Sequence, residues 1–399
     1  MTRPRAGGHR HTAPIKFYGE WGGEMEISEV RQLFPVTRNF NFQNCAAVAP
    51  LSVRVVEAVE AYLQHARDQA YIDSGFYQHA DEVRKLAARL INADPREVTF
   101  VKSTSEGISL VANGLNWNTG DNIVTANCEF PSNVYPWMAL QARGVQLKSI
   151  VEEDGRVPLD RLASAIDSRT RLVAISAVQY ASGYRIDLAT LGQICQEKGV
   201  FLCVDGIQAL GMAPIDVRSM NIDFLSADGH KWICGLEGTG IFYVRRELLG
   251  HLAPTTIGWN SMKNGWDFDN IQFEYRDDAQ RYDAGAYNLA GVYGLGAAIG
   301  LLLEVGVERI YQYLLRLSDR LVEGLRGKGY RVISPRQPGE GSAIVACISD
   351  QHDLVKLQAH LQTEYRIVTT VRKGRLRFSP HFFNTEAEID QAVEVLPRH

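Results

Sequence analysis

The sequence lacks paired cysteines. Its six cysteines are scattered along the chain without a C-x-x-C pair, and they are Cys45, Cys128, Cys195, Cys203, Cys234 and Cys347. Structural zinc sites and the disulfide frameworks of small secreted domains both use closely spaced cysteines. We therefore expect no metal site and no disulfide scaffold, and we expect a reducing, cytoplasmic compartment.

Long hydrophobic runs and an excess of charge of one sign are also missing. The longest apolar stretch, residues 292–303, contains several glycines, whereas a membrane-spanning helix needs roughly 20 apolar residues. The 42 basic and 46 acidic residues give a net charge of −4, and nucleic-acid-binding domains are usually strongly basic. We expect neither a membrane nor a nucleic acid as a partner.

The remaining composition is that of an ordinary globular protein, with 45% hydrophobic residues in a chain of 399. Seven short apolar runs recur, with helical spacing between most of them, at residues 98–101, 123–126, 146–150, 172–178, 201–204, 224–226 and 240–244. Continuous apolar runs are typical of strands covered on both faces, and their alternation with helices is typical of a parallel sheet. The pattern predicts an α/β fold whose large domain holds a mostly parallel seven-stranded sheet.

Three segments are predicted along the chain. Residues 1–24 are basic, rich in glycine and proline and without the apolar core of a secretory signal, so we expect a flexible tail. Residues 25–285 contain the seven runs and form the predicted large domain. Long helices and a few further strands follow, which predicts a smaller α+β domain over residues 286–399.

Hydroxyl residues follow the first of the seven runs. Ser103 and Glu106 have the spacing of a capping box, which predicts a helix N-terminus directly after the strand. Free backbone N–H groups at such a terminus, together with the hydroxyls of Thr104 and Ser105, suit a phosphate group. For this segment alone, a plain capped helix is the alternative interpretation.

Two charged residues stand at the ends of later runs. Asp205 follows a buried strand at the place where open α/β sheets bind ligands, and a carboxylate buried there needs a cation. Lys231 follows the next strand, where burial lowers the pKa of a lysine towards nucleophilic use. Taken singly, Asp205 is equally well explained as a capping residue, and Lys231 alone is a weak signal of catalysis.

The order of these segments is more informative than any one of them. A hydroxyl-rich helix start, a strand-end aspartate and a strand-end lysine 26 residues later resemble the fold-type I enzymes that use pyridoxal 5′-phosphate (PLP). Among these, the chain is similar to the class V aminotransferase family, with its cysteine desulfurases and isopenicillin N epimerase-like proteins, from about residue 41 to residue 395. The resemblance implies PLP as cofactor, an amino acid as substrate and a homodimer with shared active sites.

The resemblance also implies roles for individual residues. Lys231 matches the lysine that forms the internal Schiff base with PLP, and Asp205 matches the acid that pairs with the pyridine nitrogen. A protonated ring nitrogen lets the ring absorb the electrons of a carbanion. Gln208 matches a residue near the phenolic oxygen of the ring. The phosphate ligands of the family match Thr104, Ser105 and His230.

Other positions match less completely. Gly285 and Ala286 match the segment that a partner subunit contributes to the phosphate site. Phe130 stands at the ring-stacking position, which is often His in relatives; Phe can stack but cannot carry protons, which leaves Lys231 as the sole acid or base. Asp228 stands where desulfurases commonly have a phosphate-binding Ser, so we expect its carboxylate to point away from the phosphate.

The substrate residues implied by the resemblance come from both ends of the chain. Arg377, within residues 375–385, matches the residue that binds the substrate α-carboxylate, because its planar fork can hold both oxygens. Asn44 and Ala46 belong to the segment that lines the substrate pocket in relatives.

The resemblance specifies the cofactor better than the reaction. Cysteine desulfurases carry a nucleophilic cysteine on a loop before the arginine signature, and residues 363–374 contain none. We therefore predict an aminotransferase or epimerase-like enzyme that acts on an amino acid through a lysine Schiff base and a Cα carbanion. The alternatives are a cysteine or selenocysteine C–S lyase or desulfurase-like enzyme and, in another class, a catalytically inactive binding or regulatory protein on the same fold.

Overall fold

The computed structural model describes residues 25–398. The predicted tail, residues 1–24, lies outside them. The strands are β1 (Asn41–Phe42), β2 (Val98–Val101), β3 (Asn122–Ala126), β4 (Gln146–Ile150), β5 (Thr170–Ser176), β6 (Phe201–Asp205), β7 (Phe224–Asp228), β8 (Gly240–Val244), β9 (Arg331–Val332), β10 (Val345–Ile348), β11 (Ile367–Val368), β12 (Thr370–Arg372) and β13 (Arg375–Phe378). The helices are α1 (Ile27–Val30), α2 (Val53–Gln69), α3 (Phe76–Leu90), α4 (Thr104–Gly114), α5 (Tyr135–Ala139), α6 (Leu159–Ala165), α7 (Leu188–Glu197), α8 (Leu289–Val305), α9 (Val307–Gly327), α10 (Leu354–Tyr365) and α11 (Glu386–Glu394).

The predicted seven-stranded sheet is present. Its order is β2-β8-β7-β6-β5-β3-β4, and its strands pair in parallel except where β8 runs antiparallel to β2 and β7. The expected α/β fold with a mostly parallel sheet is therefore confirmed. The fifth strand differs in extent from its predicted run, residues 172–178: it ends at Ser176, because Val178 pairs instead with Arg185 in an isolated bridge.

The carboxyl ends of three strands lie at one edge of this sheet. Asp205 at the end of β6 pairs with Ser226 of β7, and Gly240 of β8 pairs with both Asp228 and Val101, the last residues of β7 and β2. The turns that follow β2, β6 and β7 therefore open onto the same side of the sheet. These turns carry the residues predicted to bind a cofactor.

Helix α4 begins directly after β2 and lies against β7. A Cβ atom at Gly107 would lie 2.2 Å from Ser226 Oγ, so no larger residue fits without a shift of the helix. Ser103 caps the helix by accepting a hydrogen bond from Glu106 N at 3.2 Å. The predicted capped helix is confirmed, and the glycine brings its first turn close to the end of β7.

Helix α8 is buried along most of its length and packs on α2 and α3. Gly296 permits this approach, because a Cβ atom there would lie 2.5 Å from the side chain of Val83. In the part of the chain that the structure describes, no single helix is long and apolar enough to cross a bilayer; α8 and α9 pass that test only as a pair bent by 77°.

A second, antiparallel sheet follows in the order β12-β13-β10-β9, with α9 and α10 packed against it. The N-terminal segment joins these elements, since β1 pairs in parallel with β11 and Asn44 bridges to Ser379. Residues 286–398 contain long helices and this antiparallel sheet, and α8 packs on α2 and α3. The exact division at residue 285 stays a prediction.

Candidate active site

A cavity of about 280 Å³ opens at the sheet edge where β2, β6 and β7 end. Its lining combines residues from seven stretches of the chain, and they are Ala46, Ala47, Val48, Ser103, Thr104, Ser105, Phe130, Ser132, Tyr180, Asp205, Ile207, Gln208, Asp228, His230, Lys231, Arg372 and Arg377. Most of the residues that the sequence singled out thus lie around one space. Asn44, Gly285 and Ala286 are outside this lining.

Lys231 is a buried amine in this cavity. Its side chain follows β7, only 8% of the residue is exposed, and Nζ lies 5.4 Å from the centre of the Phe130 ring. Burial lowers the pKa of Lys231, and the negative charge of Asp205 opposes that shift. A lysine whose neutral form is favoured in this way can act as a nucleophile and as a base.

Asp205 is a buried carboxylate without a cation bound to it. The residue is 1% exposed, and the one hydrogen bond to its carboxylate among the described residues comes from Ile207 N to Oδ1 at 3.0 Å. Burial raises the pKa of Asp205, and the charge of nearby Glu129 raises it further. Such a group is costly unless a donor reaches it. The ring N–H of PLP is a donor of the required kind, so the residues present fit this cofactor.

Glu129 is a second buried acid beside Asp205 that the sequence analysis did not assign. Its carboxylate accepts hydrogen bonds from Ser176 N at 3.0 Å, Gln179 Nε2 at 2.6 Å and Asn133 Nδ2 at 2.8 Å. Burial raises its pKa. Because this carboxylate is fully engaged, it fixes the turn that presents Phe130 to the cavity.

The first turn of α4 and the turn after β7 form the predicted phosphate side. Ser105 Oγ donates to Ser132 Oγ at 2.8 Å, and Thr104 Oγ1 accepts from Asp228 N at 3.1 Å. Asp228 Oδ1 accepts from Gly229 N at 2.7 Å, and Oδ2 lies 3.0 Å from His230 Nδ1. The carboxylate of Asp228 is thus turned towards its own loop, which leaves the helix terminus and the hydroxyls to receive an anion.

Gln208 links the Lys231 loop to the N-terminal segment. Its Oε1 accepts from Trp232 Nε1 at 2.8 Å, and its Nε2 donates to Ala46 O at 3.0 Å. Ala46 N in turn donates to Ser379 Oγ at 3.1 Å. Both amide atoms of Gln208 therefore have partners within the protein, and one N–H of the amide group remains for a ligand.

His381 closes this network and was not among the predicted site residues. Its Nδ1 accepts from Phe382 N at 2.7 Å, so Nε2 carries the proton and donates to Trp232 O at 2.9 Å. The ring is fully buried, and burial lowers the pKa of His381 to about 4. A neutral histidine thus holds the residue next to Lys231 against the C-terminal segment.

Arg377 lies on β13 with 1% of the residue exposed. Its Nη1 donates to Tyr180 O at 2.7 Å, whereas Nε and Nη2 are buried without a hydrogen-bond partner. Burial lowers the pKa of Arg377 to about 9, and the positive charge of Arg372 contributes. Two buried donors without acceptors fit the two oxygens of a carboxylate.

Tyr180 and Arg372 complete the wall near Arg377, and neither was among the predicted site residues. The Tyr180 ring lies 5.2 Å from the ring of Phe130 in an edge-on contact. Arg372 ends the short strand β12. Neither residue belongs to a recognisable motif. Tyr180 lies in the turn after β5, and Arg372 enters the lining only because β12 pairs with β13.

Gly285 and Ala286 line a different cavity, of about 230 Å³. Two hydrogen bonds fix the hydroxyl of the adjoining Tyr287. It donates to Asp283 Oδ2 at 2.8 Å and accepts from Arg84 Nη2 at 3.0 Å. Within one chain this segment does not reach the Lys231 cavity. That placement agrees with the expectation that it serves the site of a partner subunit, which stays a prediction.

None of the six cysteines lines the Lys231 cavity. All six are buried and none is paired in a disulfide. Burial raises the pKa of each thiol, to about 12 for Cys128, Cys195 and Cys347. Among residues 25–398 no group of three or more side chains that could hold a metal ion occurs.

The model of one protein family, described as "Aminotransferase class-V", matches residues 41–391. The chain belongs to the aminotransferase class-V family. It is a PLP-dependent enzyme of fold type I, as the resemblance implied. Lys231, Asp205 and Arg377 are therefore the residues of this class-V enzyme that we assign to the lysine, ring-nitrogen and carboxylate positions.

The known proteins similar to this class-V enzyme include cysteine desulfurases and a cystine C–S lyase. A cysteine desulfurase of Klebsiella pneumoniae is 31% identical over 411 residues, covering 93% of this chain and 98% of that protein. The apo structure of a cysteine desulfurase from Thermococcus onnurineus NA1 has a TM-score of 0.86 at 27% identity, covering 94% and 98% of the two chains. The cystine C–S lyase C-DES, solved with its reaction product cysteine persulfide, has a TM-score of 0.83 at 25% identity, covering 90% and 98%.

These relatives bear on the predicted reaction. The preferred prediction, an aminotransferase or epimerase-like enzyme, receives no support from them. The stated alternative, a C–S lyase or desulfurase-like enzyme, agrees with their names. The signal that could have favoured it was already in the resemblance to desulfurases, but it was outweighed by the missing loop cysteine.

Proposed function

We propose that this class-V enzyme is a PLP-dependent C–S lyase. It breaks the Cβ–S bond of a cysteine-type amino acid and releases the sulfur with the leaving group, without passing it through a protein thiol. The observation that carries the proposal is a cavity that combines Lys231, Asp205 and Arg377 but contains no cysteine. The similarity to cysteine desulfurases and to a cystine lyase supports the proposal that the substrate contains sulfur.

The residues of the cavity supply the elements of such an elimination. PLP, when bound, supplies an electron sink for negative charge at Cα. Arg377 offers Nε and Nη2 to the substrate carboxylate, which orients the amino acid. Asp205 would accept a hydrogen bond from the ring N–H of the cofactor, and its negative charge would keep that proton on the ring. Lys231 Nζ accepts the proton that leaves Cα, because the buried amine is readily neutral.

Sulfur transfer through an enzyme persulfide needs a reactive cysteine thiol in the active site. A thiol must reach the substrate sulfur and must ionise, and the thiolate is the nucleophile. Residues 363–374, of which Arg372 lines the cavity, contain no cysteine. Cys128 and Cys347 are buried with pKa values near 12. These facts favour elimination, whose sulfur product is released directly.

We also propose that the working unit is a homodimer. Gly285 and Ala286, which the family resemblance assigns to the phosphate site, line another cavity of their own chain. A second copy that brings this segment to the Lys231 cavity completes the predicted site. Light scattering of the holoenzyme checks the assembly: a monomer with full activity contradicts it.

A panel of amino acids tests the proposed reaction. The holoenzyme is incubated with L-cysteine, L-cystine, L-selenocysteine, L-alanine and L-glutamate, and pyruvate, ammonium, keto acids and D-isomers are measured separately. We expect pyruvate with ammonium from the sulfur or selenium substrates alone. Lys231→Ala is the matched inactive control. Keto acid with retained amine, or a D-isomer, as the main product means that transamination or epimerisation is the correct assignment.

A further inference from the structure

The turn that carries Lys231 contains an unfavourable backbone conformation. Cys234, in the same turn, has a φ of 61°, in the left-handed region that residues with a side chain rarely adopt. Its N–H donates to Lys231 O at 2.9 Å, which closes the turn. Backbone strain of this kind persists only where the surrounding structure enforces it, and it clusters at functional sites. The contacts that enforce this turn are therefore worth identifying.

Trp232 supplies these contacts, because it is fully buried and is fixed at its indole and at its carbonyl. The indole N–H donates to Gln208 Oε1 at 2.8 Å, and the carbonyl accepts from His381 Nε2 at 2.9 Å. The carbonyl also packs against Gly211, which has a φ of +93° and where a Cβ atom would lie 2.2 Å from Trp232 O. The position of this carbonyl, next to Lys231, is thus set from two sides.

His381 is itself held firmly. Its Nδ1 accepts from Phe382 N at 2.7 Å, and its main-chain N–H donates to Asn384 Oδ1 at 2.8 Å. The centre of its ring lies 5.3 Å from that of the Trp232 ring and 5.7 Å from that of the Phe383 ring, on which it is stacked. A side chain locked by packing and hydrogen bonds keeps its partner in place. His381 therefore ties Trp232 rigidly to the C-terminal segment.

The same segment carries Arg377, which lies on β13 just before His381. Arg377 is fixed independently of His381, because β13 pairs with both β10 and β12. In the proposed elimination Arg377 holds the substrate carboxylate while Lys231 Nζ meets the proton on Cα. A misplacement of about 1 Å between such groups can lower a rate about 100-fold. The distance between Arg377 and the Lys231 turn therefore matters to the reaction.

We propose that His381 is a positioning residue of the reaction: its hydrogen bond to Trp232 O holds the turn of Lys231 in place relative to Arg377, so that Nζ faces the substrate Cα. His381 does not line the cavity, so it acts through Trp232 and not by contact with substrate or cofactor. This inference rests on the proposed role of Lys231 as the base, and it adds a residue that the proposed function does not include.

Exchange of a Cα proton with solvent tests the inference apart from C–S cleavage. L-Alanine has no leaving group, so with the holoenzyme in deuterium oxide its Cα–H proton passes to Lys231 Nζ, is lost to solvent, and a deuteron returns to Cα; NMR measures the rate. Lys231→Ala is the inactive control. We expect His381→Leu, which has no donor for Trp232 O, to exchange at least about tenfold more slowly. His381→Gln, which keeps a donor, should stay within about threefold of the wild type.

The concentration dependence separates positioning from a general loss of structure. At saturating PLP, the maximal exchange rate of His381→Leu should fall while the L-alanine concentration at half the maximal rate changes less than about threefold, because Arg377 keeps its place. Gly296→Ala is the matched destabilised control: its Cβ atom would lie 2.5 Å from Val83, and neither residue lines the cavity. It should exchange at the wild-type rate although its free energy of unfolding is lower.

His381→Asn is a second variant in case His381→Leu does not fold, since its amide is polar but too short to reach Trp232 O; it should show the same slow exchange. Exchange at the wild-type rate in either variant overturns the inference, as does a slowing that Gly296→Ala shares. If exchange depends on His381 as expected while no sulfur amino acid is cleaved, the lyase function fails and the positioning role stands. If cystine is cleaved and exchange does not depend on His381, the lyase function stands and the positioning role is wrong.

Discussion

Acidification should destabilise this protein through one buried histidine. His381 is neutral in the folded chain, because its Nε2–H donates to Trp232 O, its Nδ1 accepts from Phe382 N and no water reaches the ring. Burial lowers its pKa from 6.5 to about 4. Below pH 6.5 the unfolded chain binds a proton at His381, whereas the folded chain binds it only near pH 4. The contribution of neutral His381 to the free energy of unfolding is therefore complete above pH 6.5 and is lost as the pH falls.

The size of this effect follows from the two pKa values. The free energy of unfolding changes by about 1.4 kcal/mol per pH unit for each proton taken up only by the unfolded chain. Between pH 7.5 and pH 5 the His381 contribution falls by about 2 kcal/mol. His381→Gln keeps a side-chain donor for Trp232 O but does not titrate, so it should lose about 2 kcal/mol less than the wild type over the same range.

Urea unfolding of both proteins at a series of pH values measures this difference. His360→Gln is the control, since this side chain is exposed and meets solvent in both states; it should follow the wild type. Parallel loss of stability in the wild type and His381→Gln between pH 7.5 and pH 5 would refute a neutral, buried imidazole at this position.

Three further changes test the site. Asp205→Asn removes the carboxylate assigned to the ring nitrogen and should lower the rate of product formation at least about 100-fold. The apoprotein should gain or keep stability, because a costly buried acid is gone. An unchanged rate contradicts the assignment. Gly107→Ala places a Cβ atom 2.2 Å from Ser226 Oγ. It should weaken PLP binding and lower the free energy of unfolding by about 1–3 kcal/mol. A variant more stable than the wild type means that α4 does not lie so close to β7. Iodoacetamide should leave the native holoenzyme at its full rate, with no alkyl group found by intact mass, because all six thiols are buried; rapid inactivation shows an accessible functional thiol.

The parts of the molecule that depend on local pattern could be predicted from the sequence. Continuous apolar runs identified the seven strands, since a strand covered on both faces needs apolar residues throughout. Asp205 and Lys231 were recognised because polar residues directly after such runs are placed at the sheet edge by the topology itself. Ser103 was recognised as a cap for the same local reason.

Other features depend on contacts between distant segments and left no local pattern. Strands β11 and β12 have two and three residues, too few for a periodicity to appear. In the sequence, Arg372 on β12 cannot be told from a surface arginine. Only the folded structure shows that it lines the cavity. The role of His381 depends on its hydrogen bond to Trp232 O, which lies 149 residues away in the sequence. The choice of reaction also had no local pattern behind it. The lack of a loop cysteine disfavours only sulfur transfer through a cysteine persulfide, and elimination, transamination and epimerisation would all use Lys231, Asp205 and Arg377.

The carbon product formed from cystine tests the central claim most directly. Wild-type holoenzyme is given L-cystine under anaerobic conditions, and pyruvate and alanine are quantified in the same sample by NMR. Elimination at Lys231 without a protein thiol predicts pyruvate and ammonium in equal amounts, with cysteine persulfide as the sulfur product and no sulfur added to the protein. Alanine as the main carbon product, with sulfur retained on one of the six cysteines, would contradict it.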